Sequence, residues 1–95
     1  MKSPCVYMLS NRRNGTLYIG VTSNLAARVW QHKNGCVDGF TKKYKLHSLV
    51  WFEAHESMMD AINREKQLKG GSRAKKISLI EAMNPYWRDL YLELF

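Results

Sequence analysis

Ninety-five residues carry fifteen Lys plus Arg against eight Asp plus Glu, a net charge of +7 and a pI near 9.7. A chain this long buries roughly 60–65% of its unfolded surface on folding. One domain over residues 1–95 is expected, its core fed by three Trp, five Tyr and three Phe. The charge favours an anionic partner, nucleic acid ahead of an anionic membrane. No apolar run approaches the about 18 residues that span a bilayer. The N-terminal Lys2 and the five apolar residues from Cys5 are too short for a secretion signal, so no membrane contact and a cytoplasmic location are expected. Cys5 and Cys36 make no disulfide framework, and Cys36 with His32 lacks further ligands for zinc.

In chain order, the first element is an apolar strand from Cys5 to Leu9. The segment Ser10 to Gly15 ends in Asn-Gly, a pair that tolerates positive φ, and leads to a second strand from Thr16 to Val21. The pair predicts a hairpin. Period-2 geometry groups Tyr7 with Cys5 and Leu9, and Tyr18 with Gly20, while leaving open whether both sets share a face. Thr22 to Asn24 offers N-caps for a helix that stops at Asn34-Gly35. Leu25, Arg28, Val29 and His32 fall on one stripe of that helix.

Cys36 to Lys45 is expected to be a loop, and His47 to Ala54 a third strand. Ser57 with Asp60 resembles a capping box at the start of a second helix that runs to Gly70-Gly71. Ser72 caps a third helix, expected to bury Ile77, Ile80 and Met83 and to end at Asn84-Pro85. Trp87, Leu90, Tyr91 and Leu94 suggest a short final helix.

Glu65 is the most unexpected residue by position. Met58, Ala61, Ile62, Glu65 and Leu68 form one helical stripe, which sets a carboxylate among apolar side chains. An unpaired charge there costs several kcal/mol, so it needs a cation, a hydrogen-bond network or a neutralising proton. Either Arg28 or a nearby lysine pairs with it at the stripe's edge, or it faces a groove and holds a divalent metal. Arg28 presents a fork suited to phosphate oxygens, and His32 carries the side chain that ordinarily titrates near neutrality. Tyr7 and Tyr18 fit equally a packed core with bonded hydroxyls. Two basic sets flank these residues: Lys42, Lys43 and Lys45 interleaved with Phe40 and Tyr44, and Lys66, Lys69, Arg73, Lys75 and Lys76 around Gly70-Gly71. Both suit phosphate contacts, the first with base stacking added, and both also suit a solvated surface.

Cys5-Val6-Tyr7, Tyr18-Ile19-Gly20, Asn24-Leu25, Arg28, His32, Glu65 and Asn84, in this order, resemble the GIY-YIG nuclease domain, and in particular its small single-domain bacterial, UPF0213-like members. The resemblance implies an α+β fold, a three-stranded antiparallel sheet flanked by helices with the site on one sheet face. It implies metal-dependent, endonuclease-type hydrolysis of DNA phosphodiester bonds, with Mg²⁺ (or Mn²⁺) on Glu65. Arg28 is then the phosphate clamp, Tyr7 and Tyr18 orient the attacking water, and Tyr7, Tyr18 or His32 takes its proton. Asn84 matches a family position, although Asn before Pro85 also suits a helix N-cap. Lys42, Lys43, Lys45, Lys69, Arg73, Lys75 and Lys76 become candidates for contact with DNA, as in DNA repair; nicked, branched, single-stranded and duplex forms stay open, as does the oligomeric state, with a monomer slightly favoured. The first motif lacks the leading Gly and Ile, and Val21 stands where some members carry Lys. A nucleic-acid-binding module of the same family with little turnover is the rival reading.

Overall fold

The computed structural model describes residues 3–37 and 39–95; Lys2 and one residue of the expected 36–45 loop lie outside them. Three strands, β1 (Cys5–Ser10), β2 (Leu17–Thr22) and β3 (Ser48–Ala54), form one antiparallel sheet in the order β2-β1-β3. Every residue of β1 is buried, because this strand is central and covered on both faces. Two-sided burial explains why its sequence is a continuous apolar run instead of an alternating one.

The hairpin forms as its turn chemistry predicts. Asn14 takes a left-handed φ of 55°, Gly15 N–H donates to Arg12 C=O (2.9 Å), and Thr16 N–H donates to the Asn11 side chain (3.1 Å). Leu9 stands opposite Tyr18 and Tyr7 opposite Gly20, so both tyrosines project from one face. The register resolves the ambiguity the sequence left open.

Helices cover the two faces. On the tyrosine face, α1 (Leu25–Lys33) buries Leu25 and Val29 against Cys5, Tyr7, Leu9 and Leu49. Asn24 caps α1 by accepting from Ala27 N–H (3.2 Å). At its other end Gly35 adopts φ 67°; its N–H donates to His32 C=O (3.2 Å), and Cys36 N–H donates to Gln31 C=O (2.9 Å). That is a Schellman motif, which only a residue at ease with positive φ completes without strain.

On the opposite face, α3 (Met58–Lys69) and α4 (Arg73–Met83) bury Ala61, Leu68 and Ile80 against Val6, Met8, Ile19 and Val50. Ser57 and Ser72 cap them as expected, accepting from Asp60 N–H (3.1 Å) and Lys75 N–H (3.2 Å). Met83 departs from expectation: it lies at the last turn of α4 and is 46% exposed, while Ile77 is half-buried and Ile80 fully buried. The expected loop over 36–45 contains a one-turn helix, α2 (Phe40–Lys43), and the C-terminal helix is reduced to a 3₁₀ turn, Tyr91–Leu94.

The segment after α4 seals the outer edge of β3. Leu90 N–H donates to Leu49 C=O (2.8 Å), Leu49 N–H donates to Asp89 Oδ1 (3.1 Å), and Asp89 also contacts Lys33 of α1. Unpaired strand edges invite unwanted pairing, so covering one stabilises the isolated sheet. The other edge strand, β2, lies next to the site.

Candidate active site

Tyr7 lies under α1 with its hydroxyl 2.9 Å from His32 Nε2. The other ring nitrogen, Nδ1, lies 3.1 Å from Thr41 Oγ1 on α2. Tyr18 completes a cluster of three rings: its centroid is 6.2 Å from Tyr7 and 5.5 Å from His32, and Tyr7 is 5.8 Å from His32. Gly20 makes the cluster possible. A Cβ there would stand 2.5 Å from both Cζ and Oη of Tyr7 and 2.9 Å from Tyr18 Cε2, so the third residue of Tyr18-Ile19-Gly20 must lack a side chain.

Arg28 lies one turn before His32 on the same stripe of α1, half-buried, and donates through Nη1 to Gln31 Oε1 (3.1 Å). It lines a cleft of about 390 Å³ with Val21, Thr22, Asn24, Ala27 and Gln31, open along the end of β2. Burial pushes the Tyr7 phenol up, and the neighbouring Tyr18 adds to this; the Arg28 guanidinium opposes both by hydrogen bond and charge. Tyr7 therefore stays protonated at neutral pH.

His32 departs from the sequence expectation that it titrates near neutrality. It is 2% exposed, and burial, with the positive charge of Arg28 and His47 adding to it, lowers its pKa to about 4. At pH 7 the ring is neutral and carries one proton for two hydrogen-bond contacts.

Glu65 sits between Ala61 and Leu68 on the face of α3 that meets the sheet, with its side chain 16% exposed. Its Oε2 is 3.4 Å from Lys69 Nζ, one turn along. The apolar stripe is therefore relieved at its rim by a lysine of the same helix, the first of the two alternatives the sequence left open. Glu65 is not sealed in the core. It belongs to the layer opposite the tyrosine cluster, and α3 lies over β1 and β2. The structure thus brings Tyr7, Tyr18, Arg28 and His32 together on one side of the edge strand, while α3, the helix that bears Glu65, packs on the other face.

Asn84 is not brought to this cluster. It ends α4 and is 2% exposed. Its Nδ2 donates to Val50 C=O (3.2 Å) and Arg88 C=O (2.8 Å), and its Oδ1 accepts from Arg88 N–H (3.0 Å). No helix starts at Pro85, so the N-cap reading is also replaced: the side chain ties the C-terminal segment to β3.

Among the basic candidates, Lys42 and Lys43 lie on α2, with Lys45 just beyond it at φ 55°. The exposed rings of Phe40 and Tyr44 pack on each other at 4.8 Å, and Lys43 lies 5.4 Å over Tyr44. Lys69 is engaged by Glu65, and Arg73 donates through Nη2 to Asn14 C=O (2.8 Å) and Gly15 C=O (2.6 Å), pinning the hairpin turn. Lys75 is exposed at the start of α4. Arg73 and Lys76 line a second cleft of about 510 Å³ together with Arg12, which the sequence reading passed over, and no carboxylate lines it. Turn arginines carry no periodic signal, so only the packing of α4 on the hairpin reveals Arg12. Thr41 was also missed, since a one-turn helix is too short to show a buried stripe.

Fold, paired tyrosines and the helix bearing Arg28 and His32 define a class. The family model described as the GIY-YIG catalytic domain matches residues 3–78, and the chain belongs to the GIY-YIG nuclease family. It is similar to a UPF0213 protein of Clostridium perfringens, 36% identical over 77 residues that cover 81% of this chain and 82% of that one. A UPF0213 protein of Staphylococcus aureus is 35% identical over 81 residues, 85% of this chain and 98% of its own. The solution NMR structure of a UPF0213 protein from Bacillus halodurans superposes with a TM-score of 0.52 at 29% identity, covering 84% of each chain.

Proposed function

We propose that this protein is a metal-dependent endonuclease that hydrolyses DNA phosphodiester bonds along the β2 edge. The observation that carries the reading is the convergence of Tyr7, Tyr18, Arg28 and His32, from three separate elements, on one face. Arg28 faces the open cleft and is suited to grip the scissile phosphate and to stabilise the charge that grows on it.

The tyrosine hydroxyls orient the attacking water. Since neither Tyr7 nor His32 is ionised at rest, the proton moves in a relay. Water gives a proton to the Tyr7 oxygen as the Tyr7 proton passes to His32 Nε2, leaving hydroxide to attack phosphorus and an imidazolium behind. The anionic phosphate favours that imidazolium, which returns its proton to the departing oxygen or to solvent. This assigns His32 as the final acceptor and the two tyrosines as its bridge to water.

Glu65 fits a divalent cation of the Mg²⁺ type. It supplies one partly exposed carboxylate with a single lysine contact, and Mg²⁺ requires little more from protein because it retains several waters and takes phosphate oxygens. Among the described residues no cluster of three or more His, Cys, Asp or Glu forms a closed site of the structural-zinc kind. A bound cation supplies Lewis-acid neutralisation of the phosphate.

Substrate grip comes from the cleft of Arg12, Arg73 and Lys76, with Lys69 and Lys75 beside it, and from the Phe40–Tyr44 platform with Lys42, Lys43 and Lys45. No helix among the described residues is long and apolar enough to cross a membrane. The competing reading, a DNA-binding module without useful turnover, draws on the neutral His32 and the Glu65–Lys69 pair. A nicking assay on supercoiled DNA with Mg²⁺ or Mn²⁺ decides between them. Cleavage by the wild type and none by Glu65→Ala supports the nuclease; equal behaviour of the two refutes it.

A further inference from the structure

His32 is held at both ring nitrogens, and its second partner is not among the residues that carry the family resemblance. We infer that Thr41 is a positioning residue: its hydroxyl accepts the Nδ1–H of His32 and so holds Nε2 as the acceptor for the Tyr7 hydroxyl.

Both contacts are buried. The Tyr7 hydroxyl is 2.9 Å from Nε2, Thr41 Oγ1 is 3.1 Å from Nδ1, His32 is 2% exposed and Thr41 3%. A neutral imidazole has one N–H and one bare nitrogen, so one contact has the ring donating and the other has it accepting. The chemistry of the two oxygens selects which. A phenol is a stronger acid than an aliphatic alcohol, hence the better donor to a bare ring nitrogen. The oxygen of an aliphatic alcohol is more basic than a phenol's, hence the better acceptor for the ring N–H. Arg28, which can only donate, also faces the phenol, so the Tyr7 oxygen already receives a proton and its own goes to an acceptor, Nε2 of His32 or the Tyr18 oxygen beside it. The acid–base order of the two hydroxyls points to Nδ1–H toward Thr41 and a bare Nε2 toward Tyr7.

The placement of Thr41 has its own causes. Gly39, at φ 99°, turns the chain into α2, and Leu46 N–H donates to Thr41 C=O (2.9 Å), locking the one-turn helix over α1. Of the four residues of α2, Thr41 alone is buried. An exposed short helix bearing Lys42 and Lys43 is thereby joined, through one hydroxyl, to the ring that takes the proton.

The catalytic consequence rests on the nuclease reading; the tautomer does not, and the test separates the two. Nitrogen-15 NMR of the His32 ring in wild type, Thr41→Val and Thr41→Ser reads the tautomer directly, and nicking kinetics are run beside it. The wild type should show a protonated Nδ1 and a bare Nε2. Thr41→Val, which has the same shape without the hydroxyl, should populate the Nε2–H form and lower kcat about tenfold at unchanged KM, a fraction of a typical acid–base contribution. Thr41→Ser should restore both. A wild-type Nε2–H ring overturns the inference. So does a Thr41→Val protein that keeps the wild-type tautomer, even with lowered stability, because a merely structural threonine would behave that way. If the wild type cuts no DNA, the nuclease reading fails while the spectra still decide this inference.

Discussion

The Tyr7 ring lies against Gly20 of the neighbouring strand, so closely that a Cβ at position 20 would stand 2.5 Å from its Cζ and Oη. The same ring contacts Tyr18 and His32, so the void left by one missing side chain fixes three functional groups. Gly20→Ala should therefore displace the phenol and cost about 1–3 kcal/mol, the usual price of overpacking. Urea unfolding gives the loss, and near-ultraviolet circular dichroism should report the altered tyrosine environment. An alanine tolerated without change in either would show that the ring moves freely.

Arg28→Ala should lower the nicking rate by about 10²–10³ while leaving the fold intact, since the side chain is half-buried at the cleft, where it donates to Gln31 of its own helix and faces the Tyr7 phenol. Arg28→Lys should recover little, because an ammonium cannot reproduce a two-pronged grip on phosphate. Single-turnover cleavage measures both; full activity in the lysine variant would remove the bidentate argument.

Acidification should destabilise the protein through His32. Its folded pKa, about 4, lies below the unfolded value of 6.5, so the unfolded chain binds the extra proton between these pH values. The stabilisation is complete above about pH 6.5, declines as pH falls toward 4, and is constant below that. The total is on the order of 3 kcal/mol. Unfolding free energies between pH 7.5 and 4 should fall less steeply in His32→Gln; equal slopes would rule out the buried neutral ring.

Asn84→Ala should destabilise without touching chemistry. It removes bonds to Val50 and Arg88 and leaves buried backbone groups unsatisfied, a loss of about 2–3 kcal/mol. Below its melting temperature the variant should cut at the wild-type rate; a catalytic defect in fully folded protein would return Asn84 to the site.

DNA binding should weaken with salt. If about four cations neutralise phosphates, log affinity should fall against log salt with a slope near −3.6 on duplex, and Lys76→Gln should reduce that slope by about 0.9. Fluorescence anisotropy at several salt concentrations measures it, and an unchanged slope would place the backbone contact elsewhere than the Arg12–Lys76 cleft.

The sequence by itself determined the local elements. The Asn14-Gly15 turn, the Asn24, Ser57 and Ser72 caps and the Gly35 stop are each satisfied by bonds spanning a few residues, so they were legible in order along the chain. The same locality made Arg28 and His32 visible as one stripe and Glu65 as a charge within another. What only the tertiary structure decided depends on separation in sequence. Strand register put Tyr7 and Tyr18 on a common face, and burial against these rings and α2 turned His32 from a residue that titrates near neutrality into a neutral ring. Packing set α3, which bears Glu65, on the sheet face opposite the tyrosines, and long-range bonds gave Asn84 to β3. Thr41 belongs with these, because a burial that spans a single turn leaves no period in the sequence and shows only once the two helices meet.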